Sequence, residues 1–401
     1  MPLGGDGKNA EPYLNPEYLR GRSSAVMARA RTDSVRAHSG DTVLLWDGSN
    51  AGEFFRAKVG LVASTMARIS QVGSFRSDYF FHALKNSEHY LRSQTNGTGI
   101  PHVDREVLES ITLFCPDSEV QGVVATVLDT LDTAIHETEA LIAKLKAVKQ
   151  GLLHDLLTRG IDADGELRAP QSEAPHLYKP SPLGLIPTDW DTKCISELLA
   201  DLDPPMRSGP FGSALLKHEL VDDGFPLLGI DNVHTERFAS DYARFVTPMK
   251  FAQLARYAVR PDDLMITIMG TVGRCCLVPG DIGHALSSKH TWTITLDRDA
   301  YSPYLAMLQI NYSPWVLAHF ARDQQGGTMA AIRSDTLRST LLPVPPREEQ
   351  RLMEQRLRTL SERIESEATS LIKHRAEKAG LMDHLLTGRV RVTPLLGAAN
   401  E

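Results

Sequence analysis

Residues 119–157 read EVQGVVATVLDTLDTAIHETEALIAKLKAVKQGLLHDLL, and apolar side chains recur in this stretch at alternating steps of four and three. The recurring positions are Val120, Val124, Val127, Leu131, Ala134, Thr138, Leu141, Leu145, Val148 and Leu152. Such spacing predicts one long helix with a narrow apolar seam that packs lengthwise on another helix. Ser118 and Gln121 have the spacing of a capping box at its start.

A second stretch, EEQRLMEQRLRTLSERIESEATSLIKHRAEKAGLMDHLL (348–386), carries the same spacing near the C-terminus. Its seam positions are Met353, Leu357, Leu360, Ile364, Glu367, Leu371, His374, Lys378, Leu381 and Leu385. Three of these are polar, so they either set the register of the helix pair or face solvent. At ~1.5 Å per residue, each stretch predicts a rod of about 58 Å.

The two stretches belong to a longer internal repeat. The end of the first helix, GLLHDLLT (151–158), aligns with GLMDHLLT (380–387), and Pro116 and Gln121 align with Pro345 and Gln350. Further upstream, GDTVLLWDG (40–48) aligns with DDLMITIMG (262–270), and PYL (12–14) aligns with PLL (226–228). The chain is therefore a tandem duplication of one lobe followed by one long helix.

Each lobe is expected to be mixed α/β, because short apolar runs such as DTVLLW and DLMITI end at glycine turns. Tyr304 to Phe320 has helical spacing that Pro314 must interrupt. The first lobe has no counterpart of residues 183 to about 210. The predicted boundaries are 1–115 for the first lobe, 116–158 for its helix, 159–188 for a linker, 189–344 for the second lobe, 345–388 for its helix and 389–401 for a tail.

Bulk composition excludes several classes of protein. The chain has no run of about 18 apolar residues, and its N-terminus lacks a secretory h-region, so we expect a cytoplasmic protein with no membrane span. Four cysteines without a C-x-x-C pair indicate thiols in a reducing compartment rather than zinc ligands. The net charge of −7 argues against a simple nucleic-acid-binding protein.

No catalytic constellation emerges from the sequence. The NPEY segment at 15–18 resembles an amino-methyltransferase motif, but too few residues precede it for the glycine-rich turn that binds S-adenosylmethionine. The GDGK segment at 5–8 lacks the spacing of a phosphate loop. The histidines fall at no metal-ligand spacing, so neither a catalytic nor a metal site is predicted.

Five segments in fixed order carry a resemblance to a known family: LGLIPTDW (183–190), PDDLMITIMGTVG (261–273), QQGGTMAAI (324–332), LLPVPPREEQ (341–350) and the terminal LLTG (385–388). Together they closely resemble the specificity (S) subunit of Type I restriction-modification systems. The second half fits over nearly its whole length, and the first half fits from about residue 8.

The resemblance implies an α+β fold in which two mixed α/β target-recognition domains are joined by two long helices packed as an antiparallel coiled coil, a pseudo-two-fold tandem repeat. Each domain would read one half of a bipartite double-stranded DNA target. The helices would dock two adenine-N6 methyltransferase (M) subunits, and restriction (R) subunits would join them. S-adenosylmethionine, ATP and Mg would be bound by those partners, and this chain would hold no cofactor and perform no chemistry.

Residues that read DNA need bidentate donors, amides and phosphate-binding cations on loops. We therefore predict DNA contacts from Arg207, Lys217, His218, Arg274, Lys289, His290, Arg322, Gln324 and Gln325 in the second lobe, and from Arg56, Lys58, Arg92, Gln94 and Asn96 in the first. The coiled-coil seam is represented by Val127, Leu131, Leu141, Leu145, Leu357, Leu360, Ile364 and Leu371. Apolar residues expected outside the seam, and hence available to M subunits, are Ile142, Leu352 and Ile372.

Two other interpretations stay open at this point. One is a coiled-coil scaffold whose lobes bind protein without DNA readout. The other is a degenerate S subunit that pairs with another S chain because its first lobe is incomplete. Residues 189–340 hold about fourteen Lys and Arg against about eighteen Asp and Glu, so an unaided DNA-binding role would need its cations gathered on one face.

Overall fold

The structure is a computed structural model that describes residues 10–71, 73–95, 99–324 and 332–392. The chain folds as two units, one made of residues 1–143 with 365–401 and the other of residues 144–364. Each unit contains one lobe and part of each long helix. In the described ranges, no helix is both long and apolar enough to cross a membrane.

The first lobe has two small sheets flanked by short helices. Its elements are β1 (Ala10–Leu14), α1 (Pro16–Leu19), β2 (Val26–Arg29), β3 (Arg36–Ala37), β4 (Thr42–Leu45), β5 (Phe54–Arg56), β6 (Gly60–Val62), β7 (Met66–Ile69), α2 (Ser77–Asn86), α3 (Glu88–Ser93) and α4 (Arg105–Ser110). The strands are ordered β2-β1-β6-β3 and β5-β4-β7. All four residues of β4 are buried, as its uninterrupted apolar run predicts.

The long helix α5 (Ser118–Thr158) follows, and a segment containing the hairpin β8 (Tyr178–Ser181) and β9 (Gly184–Pro187) leads into the second lobe. That lobe contains β10 (Asp191–Cys194), β11 (Met206–Ser208), β12 (Phe225–Leu228), β13 (Val233–His234), β14 (Arg237–Phe238), β15 (Phe245–Val246), α6 (Pro248–Gln253), β16 (Leu264–Thr267), β17 (Cys275–Leu277), β18 (Leu286–Ser287), β19 (Thr291–Ile294), α7 (Pro303–Tyr312), α8 (Pro314–Gln324), α9 (Ser334–Arg338) and β20 (Leu341–Val344). The chain continues into α10 (Arg347–Leu385). Pro314 separates α7 from α8, as predicted.

The two lobes share one strand register. Antiparallel β4 and β7 pair Thr42 with Ile69, and β16 and β19 pair Leu264 with Ile294. Parallel β1 and β6 pair Leu14 with Val62, as β12 and β18 pair Leu228 with Ser287. These pairings superpose Thr42 on Leu264 and Leu14 on Leu228, which are the alignments made from the sequence. The duplication is confirmed.

The lobes differ at one sheet edge. In the second lobe, β10 pairs with β20, and β11 covers β19 in a sheet ordered β11-β19-β16-β17. Within the described part of the first lobe, β7 pairs only with β4, and residues 112–115, which align with β20, form no strand. Backbone groups on this edge therefore lack the sheet partners that their counterparts have.

The long helices run antiparallel. In the first unit, Val124 and Leu128 pack with Leu385 and Leu386. Farther along α5, Lys378 is ion-paired with Asp132, and Arg375 Nη2 lies 2.6 Å from Glu139 Oε1. Positions on α10 thus fall as positions on α5 rise, which confirms the predicted antiparallel coiled coil. In the second unit, Met353 and Leu357 join the lobe core with Leu153 and Leu156.

At the predicted seam positions Val127 and Leu141 of α5, the buried residue is the one that follows the predicted residue. Leu128 and Ile142 are buried, whereas Leu141 is 37% exposed and Val127 is only half-buried. Leu131 and Leu145 are half-buried, as are Leu360, Ile364 and Leu371 on α10, and Leu357 is fully buried. The prediction failed where two adjacent apolar residues competed for one seam position, because hydrophobic spacing alone does not choose between them.

This shift corrects one residue that had been predicted to be available to M subunits. Ile142 is 9% exposed and lies in the seam, so it offers no outer surface. Leu352 is half-buried against the core of the second lobe. Ile372 is 68% exposed on α10.

Candidate nucleic-acid interface

One end of the four-stranded sheet in the second lobe gathers three chain segments. Strand β16 ends at Thr267 opposite Thr291, the first residue of β19. Ile268 N donates to His290 O at 3.1 Å, and Gly209 N, just after β11, donates to Ser288 O at 3.2 Å. The turn 268–274, the turn 288–290 and the loop after β11 therefore form one surface.

Three predicted residues, Arg274, Lys289 and His290, lie at this sheet end. Lys289 is exposed, and Arg274 and His290 are half-buried. Burial lowers the pKa of His290, and the neighbouring charges of Lys289 and Arg244 lower it further. A neutral imidazole both donates and accepts hydrogen bonds, which suits contact with base edges, whereas the Lys289 ammonium suits a phosphate.

Arg244 is a cation of this surface that the sequence did not single out. Its Nη2 lies 2.8 Å from Asp231 Oδ2, in the loop after β12. The parallel pairing of β12 with β18 brings this loop beside the 288–290 turn, where Ser288 N donates to Leu228 O at 2.8 Å. Because that pairing joins residues far apart in sequence, no local signal marks Arg244.

Lys217 and His218 lie on an exposed one-turn 3-10 helix, Lys217–Glu219. Glu219 accepts a hydrogen bond from Lys250 Nζ at 2.7 Å and another from Leu216 N, and both lower its pKa. These bonds fix the turn that presents Lys217 and His218 to solvent.

Arg207 corrects a predicted DNA contact. Its side chain is buried, and the guanidinium forms an ion pair with Asp263, which is also buried. It also donates to Ala258 O at 2.7 Å and to Thr295 Oγ1 at 2.9 Å. Pairing of β11 with β19 turns this side chain into the lobe, so Arg207 holds the core together instead of reading DNA.

Arg322 is exposed near the end of α8, a helix that approaches the same sheet end through Phe320. A Cβ placed on Gly273, in the turn after β16, would lie 3.7 Å from the Phe320 ring. The side chain of Gln324 and the whole of Gln325 lie outside the described residues, as does Asn96 in the first lobe.

The first lobe places Arg56 against a long helix. Arg56 Nη2 lies 2.9 Å from Asp129 Oδ1 on α5, and the guanidinium carbon lies 4.8 Å from the centre of the Phe81 ring. His82, which is fully buried, shares Asp129 at 2.7 Å. The structure therefore corrects the role predicted for Arg56, since its guanidinium ties the lobe to α5.

The sheet end of the first lobe has the same backbone but different side chains. Trp46 N donates to Thr65 O at 2.9 Å, the counterpart of the bond between Ile268 and His290. The register places Ser64 and Thr65 where the second lobe has Lys289 and His290. Two equivalent surfaces thus carry different hydrogen-bonding groups.

The remaining predicted contacts of the first lobe are on its surface. Arg92 Nη2 donates to Asn50 Oδ1 at 3.0 Å, beside the turn between β4 and β5. Lys58 is exposed, with its Nζ 4.6 Å from the centre of the Tyr18 ring, and Gln94 is exposed after α3.

His82, Asp129 and Asp132 bring possible metal-ligand atoms within 4.8 Å of one another. Side-chain cations already compensate both carboxylates, since Asp129 is paired with Arg56 and Asp132 with Lys378. This cluster therefore functions as a link between α2, α5 and α10 without need of an ion.

Comparison with known proteins agrees with this architecture. Residues 5–147 match the family described as the Type I restriction modification DNA specificity domain. The chain is 28% identical over 390 residues to the specificity subunit of the Type I restriction enzyme MjaVIII of Methanocaldococcus jannaschii, covering 96% of this chain and 87% of the relative. It is 20% identical over 349 residues to the EcoBI specificity subunit of Escherichia coli, covering 86% and 71%.

The fold is also that of a solved relative. The crystal structure of the S subunit of a Type I restriction-modification system from M. genitalium superposes with a TM-score of 0.59 at 14% identity, covering 95% of this chain and 90% of that one. The duplicated lobes, the paired long helices and the sequence matches lead to one conclusion: this chain is similar, over nearly its whole length, to the DNA specificity subunits of Type I restriction-modification systems.

Proposed function

We propose that this chain reads a bipartite DNA target for a Type I restriction-modification complex, with each lobe contacting one half. The observation that carries the proposal is the pair of equivalent sheet ends with different side chains, Lys289 and His290 in one lobe and Ser64 and Thr65 in the other. A repeated frame positions two surfaces alike, and different groups on them select different bases. The backbone dyads of duplex DNA suit such a pseudo-symmetric protein.

The chain acts as a non-catalytic scaffold in this proposal. Two M subunits carry S-adenosylmethionine and methylate adenine N6, and R subunits carry ATP and Mg. Exposed apolar residues on the long helices, Leu141 on α5 and Ile372 on α10, are the proposed M contacts in the first unit. We expect Ile372→Glu to abolish co-purification of this chain with M subunits. If the complex stays intact, Ile372 is not part of the M contact.

Affinity for DNA comes largely from the assembled complex. Lys and Arg are outnumbered by Asp and Glu in the second lobe, so the isolated chain neutralises few phosphates. We expect weak binding by the chain alone and tight binding once M subunits are present. Tight, sequence-selective binding without M would contradict this division of roles.

Selection from a random duplex pool by the purified complex with M tests the proposal. The expected result is a bipartite motif with a fixed spacer, and the double substitution Lys289→Ala with His290→Ala relaxes only one half. Enrichment of no sequence would instead support a protein scaffold. Methylation-sensitive sequencing of the host genome should show the same motif, with N6-methyladenine in each half.

The open edge of the first lobe favours a second candidate arrangement, in which the chain pairs with another S chain. Strand β7 and residues 112–115 present backbone groups that β11 and β10 cover in the second lobe. The solution mass of the chain separates the two arrangements, since pairing predicts a dimer. A synthetic peptide of residues 189–208 competes for the edge and dissociates such a dimer.

A further inference from the structure

Phe211 is an exposed aromatic residue on the loop that follows β11. Its side chain is 59% exposed, and it lies between Pro210 and Gly212. Proline fixes its own φ, and Gly212 has a φ of +58°, which few other residues adopt without strain. The local backbone therefore restricts the directions in which the ring can point.

Both ends of this loop are anchored. On one side, a Cβ added to Gly209 would lie 2.0 Å from Ser287 O, so only glycine permits the close approach to the turn that carries Lys289. On the other side, Ala214 N donates to Phe211 O at 3.2 Å, and Ala214 packs on the small core around Leu227 and Val246. Because Gly209 and Ala214 fix the loop on both sides of Phe211, the aromatic ring is held in solvent and does not fold back onto the lobe.

A single exposed apolar side chain is ordinary on a protein surface. The position of Phe211 distinguishes it, because it shares the sheet end with exposed Lys289 and half-buried His290. Proteins that bend DNA insert apolar side chains such as Phe between base steps while basic and amide side chains contact the groove. Phe211 lies on the loop that starts against the turn carrying the cation Lys289.

We propose that Phe211 inserts into a base step of the half-site bound by the second lobe and partly unstacks it. The inference rests on the proposed DNA-reading function and specifies how one half of the target is recognised. Sequence preference at that step then comes from the ease of unstacking, which is greatest at pyrimidine–purine steps.

Fluorescence of 2-aminopurine tests the insertion. The base analogue is placed at successive positions in both halves of the duplex selected by the complex of this chain with M subunits. We expect increased fluorescence at one step of one half, lost with Phe211→Ala, and about tenfold weaker binding, the loss typical of one base–aromatic contact. Met249→Ala is the matched control, because Met249 is 72% exposed on α6 of the same lobe.

Each outcome decides the proposal. An unchanged 2-aminopurine profile in Phe211→Ala, with binding intact, overturns the insertion and leaves DNA reading in place. Loss of M subunits from the Phe211→Ala complex overturns it in favour of a protein contact. Failure of the unsubstituted complex to select any duplex overturns the DNA-reading function itself. Equal thermal midpoints for Phe211→Ala and Met249→Ala establish that both variants are folded.

Discussion

Gln121 and Gln350 occupy equivalent positions in the two repeats and make the same hydrogen bonds. Gln121 Nε2 donates to Pro116 O at 2.8 Å and to Ser74 O at 3.0 Å, and its Oε1 accepts from Arg76 N at 2.7 Å. Gln350 makes the matching bonds to Pro345 O at 2.8 Å, to Ala300 O at 3.3 Å and from Ser302 N at 2.8 Å. Each glutamine thereby fastens the start of a long helix to its lobe.

Substitution of either glutamine by leucine should destabilise its own unit. Both side chains are buried, so Gln121→Leu and Gln350→Leu each leave backbone groups unpaired away from water, at a cost of about 2–4 kcal/mol in the free energy of unfolding. Urea denaturation measures the change. Gln150→Leu on the exposed face of α5 is the control, and an equal loss there would contradict the assignment.

The adjacent residues Leu141 and Ile142 on α5 should differ in their tolerance of a charged side chain. Ile142→Glu places a carboxylate in the seam and should prevent stable pairing of the helices, whereas Leu141→Glu should leave the unfolding midpoint unchanged. The milder Ile142→Ala should cost about 2–3 kcal/mol by removing seam packing. Thermal unfolding followed by circular dichroism gives both results, and equal midpoints for the two Glu variants would refute the seam.

The first unit should lose stability as pH falls from 7.5 to 5.5. Burial lowers the pKa of His82, and Asp129 offsets this only in part. The unfolded chain takes up a proton near pH 6.5, and the folded chain does so only at lower pH, so the free energy of unfolding decreases between those values, by at most about 1.4 kcal/mol per pH unit.

Urea denaturation at three pH values checks this dependence. His82→Gln removes the titrating group and should flatten the slope, whatever its effect on absolute stability. The pKa of Asp129 is lowered by Arg56 and His82 despite its partial burial, so this carboxylate affects stability only below about pH 4. Identical slopes for wild type and His82→Gln would remove His82 as the cause.

Salt dependence should distinguish the two ends of the second-lobe sheet. Lys289→Ala should weaken DNA binding by the complex with M and reduce the slope of log K against log salt concentration by about 1. Arg298 is the control, since it lies at the opposite end of the sheet, is 60% exposed and pairs with Asp262. Fluorescence anisotropy between about 50 and 200 mM salt measures both slopes. A reduced slope for Arg298→Ala would place the DNA elsewhere.

The repeat was predictable because a duplicated backbone preserves spacing as well as residue type. Aligning GDTVLLWDG with DDLMITIMG gave the observed strand register, even though few of the paired residues are identical. The spacing also identified the antiparallel helices as a seam-forming pair, but their direction came from the family resemblance. Linker length alone allows either direction.

The errors arose where the answer depends on a distant partner. The sequence predicts a DNA contact from Arg207, but in the fold this side chain is buried against Asp263, which is 56 residues away in sequence. Gln121 was expected to cap α5, and it instead reaches Ser74 and Arg76 on the segment before α2. Arg56 and Asp129 are also far apart in sequence. In each case tertiary pairing determined the role, and no local pattern contains that information.

The composition of the first unit affects the order in which the protein can fold during synthesis. Tyr79, Val124 and Leu128 share a core with Leu385, Leu386 and Val392. During synthesis, these C-terminal residues are added only after the whole second lobe. The first lobe therefore leaves the ribosome with part of its apolar surface exposed to solvent. A nonsense codon between residues 144 and 364 would therefore produce an amino-terminal fragment whose apolar surface is exposed. Such a fragment should aggregate instead of folding as an independent lobe.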